Sequence, residues 1–149
     1  MLIGIQIERD KDLKNLESIY KLEIESFGEV AWSKSQLRTE LENKNSYCIL
    51  SKKEKEVIGY LLGRIILDEA ELLRLAVKPL YRNKGVGRKL LETFLEDLKN
   101  QRIKKVFLEV SERNNRAYNL YLKLGFKPIY LRKNYYGKEA NAIVMCYQI

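Results

Sequence analysis

Two β-rich runs, residues 71–77 and 106–110, enclose a stretch in which Leu90, Leu91, Phe94, Leu95 and Leu98 recur at helical spacing. Apolar residues three and four apart share one helix face, so this stretch reads as an amphipathic helix with one stripe to bury. Pro79 breaks the first run, and Gly85-Val86-Gly87 precedes the helix. A strand, a helix and a second strand of this length predict a right-handed parallel crossover. That unit commits the chain to an α/β fold.

The rest of the chain is arranged around it. Leu13, Leu16, Tyr20, Ile24 and Phe27 predict a helix over 11–27, after a short first strand and ended by Gly28. Ser33 followed by Gln36 has the form of a capping box, and Leu37 and Leu41 extend a second helix from Lys34. Runs at 47–50, 57–66 and 71–77 read as strands separated by the charged turn 51–56 and by Leu67-Asp68-Glu69-Ala70. Connections this short force antiparallel pairing. A further helix is expected over 115–124, stopped at Gly125, and two last strands at 126–131 and 142–149 flank a polar, Tyr-rich connection. With 149 residues and neither repeat nor linker, one domain over 1–149 is expected.

Composition removes whole classes of chemistry. There is no histidine, which excludes Ser-His-Asp and Cys-His catalysis and every metal site that needs imidazole. Cys48 and Cys146 lack CxxC spacing and read as core fillers, and no metal is expected. Apolar runs such as Tyr60-Leu61-Leu62 fall far below the roughly 18 residues of a membrane span, and the N-terminal residues lack the pattern of an export signal. A cytoplasmic protein is the expectation. Lys plus Arg number 28 against 20 Asp plus Glu, a formal +8, so an anionic partner is expected: nucleic acid, a phosphate-bearing cofactor or an acidic protein.

Four places are candidates for function. Arg82-Asn83-Lys84-Gly85-Val86-Gly87 lies between a strand and a helix, where backbone N–H groups and the positive helix end can face a diphosphate. The dinucleotide pattern fails because Leu90 occupies the third glycine position, and no nucleotide P-loop string occurs. Glu109 interrupts the apolar run Val106-Phe107-Leu108-Glu109-Val110; it reads either as a strand-end carboxylate paired with a cation or as a general base. Tyr121 shares a helix face with Ala117, Leu120 and Leu124, and spacing alone leaves core and catalytic roles open. The segment 130–138 interleaves Tyr with Arg and Lys, and reads as an exposed substrate lip, a Tyr-rich hairpin or, less favoured, a platform for single-stranded RNA.

Taken together, Leu75-Ala76-Val77, Arg82-x-x-Gly85-x-Gly87, Leu108-Glu109-Val110, Asn114, Leu120-Tyr121, Leu124-Gly125-Phe126 and Asn134-Tyr135-Tyr136 resemble the GNAT superfamily of N-acetyltransferases. Within it they look like the RimI type, which acetylates the N-terminal amine of a ribosomal protein. The match is close from about residue 65 to 145, and looser before it, with Trp32-Ser33 where the family often has Pro-Trp-Ser.

The resemblance implies the GNAT fold: a mixed, mostly antiparallel sheet splayed between two central parallel strands, with about four helices. It implies acetyl-CoA as co-substrate, with Leu75, Ala76 and Val77 along its pantetheine and the Val77 N–H near the thioester oxygen. Arg82, Asn83, Lys84, Gly85, Val86, Gly87 and Arg88 would form the diphosphate loop, and Asn114 would touch the cofactor. By the same carry-over Glu109 is the base, Tyr121 the acid, and Trp32, Tyr135 and Tyr136 border the acceptor peptide. The chain departs from the family at Ala31, where Pro is usual, and at Glu139-Ala140-Asn141-Ala142, where an acidic pair is common. Both departures lie around the expected peptide lip.

Overall fold

The computed structural model describes residues 3–135 and 141–149. Its strands are β1 (Ile5–Arg9), β2 (Ser46–Lys53), β3 (Glu56–Ile66), β4 (Glu69–Val77), β5 (Lys105–Ser111), β6 (Lys127–Arg132) and β7 (Ala142–Gln148). The α-helices are α1 (Leu16–Phe27), α2 (Lys34–Glu42), α3 (Val86–Asn100) and α4 (Asn115–Lys123). The expected elements are all present; β2 to β5 extend up to three residues beyond their expected ends, while β6 starts and β7 ends one residue further in. The β2–β3 and β3–β4 turns tighten to Glu54-Lys55 and Leu67-Asp68, where Glu54 and Leu67 take left-handed φ of 59° and 57°. The helix expected over 11–27 begins instead as a 3-10 turn, Leu13–Asn15, because the Asp12 carboxylate accepts from the Lys14 N–H and caps it there. The Ser33–Gln36 capping box forms in both directions.

The strands make one seven-stranded sheet in the order β1-β2-β3-β4-β5-β7-β6. All neighbours are antiparallel except β4 and β5, the parallel pair that α3 connects. Their pairing runs from Glu69↔Lys105 to Leu72↔Leu108 and stops there, although β4 continues to Val77 and β5 to Ser111. The β3–β4 register also shifts at this point, between Leu62↔Arg74 and Gly63↔Leu72, leaving Leu73 as an extra residue. A bulge bends its strand and increases its twist, and here it turns the end of β4 away from β5. The sheet therefore forks at its centre.

Each sheet face carries its own core. Leu90, Leu91, Phe94 and Leu98 of α3 and Tyr121 of α4 cover Ile49, Leu61, Val106, Leu108 and Val110 on one face. Ile19 and Leu22 of α1 and Leu37 and Leu41 of α2 cover Cys48, Leu50, Tyr60 and Leu62 on the other. Alternation along each strand divides its residues between the two cores. Cys48 is buried, and burial pushes its thiol up to about 12, so it is an inert core filler as expected. Cys146 is only partly buried and belongs to neither core, so the expectation of a core filler holds for Cys48 alone. No helix among the described residues is long and apolar enough to cross a membrane.

Candidate active site

A cavity of about 750 Å³ opens from the fork, between the loop at 82–88 and α4. Leu75, Ala76 and Val77, the part of β4 beyond its pairing with β5, form one wall. The Lys78 N–H donates to the Ile58 carbonyl of β3 at 2.7 Å. Backbone groups of successive strand residues point to opposite edges, so the Val77 N–H is directed toward β5, where the two strands have already parted. It is a donor aimed into the gap.

Asn83, Gly85, Val86, Gly87 and Arg88 form the neighbouring wall. Asn83 and Gly85 both take left-handed φ, 60° and 87°, which coils the loop tightly before α3. Among the described residues no side chain caps α3, so the N–H groups of its first turn keep their donor capacity for a ligand. A Cβ on Gly87 would lie 3.6 Å from Val77 Cγ2 and 3.9 Å from Leu120 Cδ2, within the space that glycine leaves open. The result is an N–H-lined cradle of a kind that can hold a diphosphate. Arg82 lines the cavity but is already engaged: Nε donates to the Val77 carbonyl at 2.8 Å and Nη2 to Ser26 Oγ at 3.1 Å, tying the loop to β4 and α1. Lys84 does not line the cavity; its Nζ lies 5.9 Å from the centre of the Tyr81 ring.

The opposite wall is α4. Asn114 caps it by accepting from the Ala117 N–H at 3.2 Å, which commits the carboxamide oxygen and turns the residue to the cavity. Tyr121 is buried at the cavity wall, its ring 5.8 Å from that of Phe126.

Glu109 lies on the other face. It is the first residue of β5 past the last parallel pair, Leu72↔Leu108, and it alternates with the buried Leu108 and Val110, so its side chain emerges on the side of α1 and α2. There it accepts from Arg132 Nη1 of β6, and Tyr135 hydrogen-bonds to it as well. That hydrogen bond, with burial and the carboxylate charge, holds the Tyr135 phenol above its ordinary pKa. The Arg132 guanidinium also stacks 4.2 Å from the Tyr135 ring centre. Trp32 is on the same face, at the start of α2, and its N–H donates to Glu23 Oε2 at 2.8 Å. Tyr136 lies outside the described residues.

Cavity and carboxylate thus approach the fork from opposite faces. Leu75, Ala76, Val77, Arg82, Asn83, Gly85, Val86, Gly87, Arg88, Asn114 and Tyr121 share the cavity, whereas Glu109, Tyr135 and Trp32 do not line it. Ser26 and Phe27, at the end of α1, complete the cavity and connect the two sides.

Several residues escape a reading of the sequence. Glu23 is fully buried on α1, where it accepts from the Tyr60 hydroxyl, from Arg74 and from the Trp32 N–H. The Arg74 guanidinium stacks 3.9 Å from the Phe27 ring centre and 5.2 Å from that of Trp32. Burial first, and Glu23 second, drive the Tyr60 phenol well above its ordinary pKa. In one dimension Glu23 is one of three acids in an amphipathic helix, and only Arg74 within Leu72-Leu73-Arg74-Leu75 was a visible anomaly. Arg116, Asn119 and Lys123 also line the cavity; their spacing on the polar side of α4 was the available signal.

A model of the acetyltransferase (GNAT) family matches residues 16–126. The ribosomal protein bS18-alanine N-acetyltransferase of Haemophilus ducreyi is 37% identical over 122 residues, covering 78% of this chain and 82% of its own length. The same enzyme of Haemophilus influenzae is 33% identical over 138 residues, covering 89% and 92%. Among solved structures, the ribosomal-protein-S18-alanine N-acetyltransferase of Escherichia coli superimposes with a TM-score of 0.90 at 27% identity, over 97% of this chain and 94% of that one.

Proposed function

The chain belongs to the GNAT acetyltransferase family, and from that premise we propose that it transfers the acetyl group of acetyl-CoA to the N-terminal α-amine of a protein, ribosomal protein bS18. Support for the acceptor comes from relatives that share over 30% identity across most of both chains and carry that activity in their names. The observation that carries the mechanism is the fork: an N–H-lined cradle and apolar channel on one face, and a carboxylate at its junction on the other.

When bound, acetyl-CoA supplies an activated acyl group. Leu75, Ala76 and Val77 hold its arm along β4, the loop from Asn83 to Arg88 takes its diphosphate, and Asn114 orients it from α4. Arg82 keeps this loop in register with the end of β4 rather than meeting phosphate itself. The Val77 N–H stands where negative charge develops on the thioester oxygen, a placement worth a few kcal/mol of barrier. Glu109 takes the proton of the acceptor amine through a water molecule, and Tyr121 returns a proton to the sulfur. Trp32 and Tyr135 border the acceptor. A carboxylate base suits an α-amine: with a pKa of about 7.7 to 8.0 it is roughly one-seventh neutral at pH 7, whereas a lysine side chain near 10.4 is neutral about once in 2,500. The reaction belongs to the cytoplasm, where ribosomal proteins are made, and to a single catalytic domain over 1–149.

Mass spectrometry tests this directly. Peptides with varied free N-termini and one internal lysine are incubated with acetyl-CoA and the protein. Acetylation confined to the α-amine, with alanine favoured in first position, is the expected result. Modification of lysine, or of a polyamine in preference to peptides, would overturn the acceptor assignment.

A further inference from the structure

Two of the helices that wall the cavity carry an arginine and no acid in their first turn: Arg88 in α3 and Arg116 in α4. The positive end of a helix favours Asp or Glu there, so a cation in that turn works against the helix's own field. Arg88 is partly compensated by Glu92, 3.3 Å away one turn on. Arg116 has no hydrogen bond or ion pair with any described residue, and neither has Lys123. Arg116, Asn119 and Lys123 fall three and four residues apart, so they form one stripe along α4, about 10 Å long at 1.5 Å per residue. All three line the cavity, facing the N–H-lined cradle across it.

We propose that Arg116 and Lys123, with the Asn119 carboxamide between them, bind the 3′-phosphate monoester at the nucleoside end of acetyl-CoA. The inference rests on the acetyl-transfer reading and extends it to a part of the ligand that the cradle leaves without a partner. Coenzyme A carries a diphosphate and, separately, a ribose 3′-phosphate. The first turn of α3 matches the diphosphate with backbone donors. A phosphate monoester brings nearly two further negative charges at pH 7, and the unpaired cations in the same cavity are on α4. Lys53 and Lys84 are a second basic pair nearby, but both ammonium groups lie over the Tyr81 ring, 5.6 and 5.9 Å from its centre, and neither lines this cavity.

Equilibrium binding of coenzyme A and of 3′-dephospho-coenzyme A, by calorimetry and without an acceptor, tests the assignment. The protein should prefer coenzyme A by about tenfold, the range expected for a solvent-exposed, charge-assisted contact. In the double variant Arg116→Gln, Lys123→Gln that ratio should fall to about one while affinity for the dephospho compound is unchanged. Lys99→Gln, which removes a charge from the far end of α3, should leave the ratio intact. A ratio that survives in the double variant, or equal binding of both ligands by the unaltered protein, overturns the α4 site alone. Failure of the unaltered protein to bind either ligand overturns the acetyl-transfer reading together with it.

Discussion

The two faces of the forked sheet are built from different materials. On the α3 and α4 face the site is built from backbone: the splayed end of β4, two left-handed residues, an uncapped helix and a glycine with room beside it. On the α1 and α2 face it is built from side-chain pairs that join distant segments, Glu23 with Tyr60 and Arg74, and Glu109 with Arg132 and Tyr135. A backbone site takes a ligand whose shape never varies. A side-chain site can be retuned to a different acceptor by exchanging one or two residues, without disturbing the cradle.

The largest effect should come from breaking the buried network. Glu23→Ala leaves Arg74 with its charge uncompensated in the second core, which typically costs about 3–5 kcal/mol. For a chain of this size the melting temperature should fall by roughly 10 °C or more, measured by circular dichroism. Replacing both Glu23 and Arg74 with leucine should recover much of that stability. It should still raise KM for the acceptor peptide and leave KM for acetyl-CoA unchanged, because the Trp32 N–H has lost its partner. Equal changes in both KM values would mean that the two faces are not separable.

Next in size, Glu109→Gln keeps an acceptor for Arg132 but removes the proposed base, and kcat should fall by about 10²-fold or more at neutral pH. Full activity in steady-state assays would reduce Glu109 to a partner of Arg132. On the opposite face, Gly87→Ala makes only ordinary contacts with Val77 and Leu120, so melting should be unaffected or improve. The added methyl group occupies the approach to the helix end, and loss of about one hydrogen bond, ~1 kcal/mol, should raise KM for acetyl-CoA about fivefold. An unchanged KM would place the diphosphate elsewhere.

The smallest effect lies outside both faces. Asp97 of α3 accepts from Arg9 at 2.9 Å and from the Tyr47 hydroxyl, clamping the helix to β1 and β2. Burial pushes its pKa up, but the hydrogen bonds from Arg9 and Tyr47 outweigh burial and hold it below the usual carboxylate value. A folded-state pKa below the unfolded one contributes stability that is complete above about pH 4 and is lost as pH falls through the lowered value. Asp97→Asn should therefore lower stability near neutrality by a fraction of the Glu23→Ala effect. Its melting temperature should depend less on pH below 4, and both KM values should stay unchanged. A parallel acid limb in the variant would assign acid sensitivity to other carboxylates.

The same division separates what was legible in one dimension from what was not. Element types follow from periodicity, capping and glycine or proline placement, all local properties, and the crossover from β4 through α3 to β5 implies the parallel pair. The cradle was legible because backbone sites are written in consecutive residues, 82–88, and their anomaly is glycine itself. Glu109 and Tyr121 stood out only through a run they interrupted and a family pattern they matched. Glu23 did not stand out at all, since a buried carboxylate on a helix differs from an exposed one only by what crosses over it.

By itself, then, the sequence determined the order of strands and helices, the absence of imidazole chemistry, the glycine-containing loop before α3 and the family. Tertiary structure decided where β4 parts from β5, because the bulge at Leu73 depends on pairing with β3, and which side of the sheet each site residue reaches. It also decided which charges are paired. Arg82 spends its guanidinium on Val77 and Ser26, Arg132 on Glu109, and Arg74 on Glu23, while Arg116 and Lys123 line the cavity with their charges uncompensated by any described residue. Pairing is a matter of distance in space, and residues tens of positions apart acquire it only when the sheet brings them together.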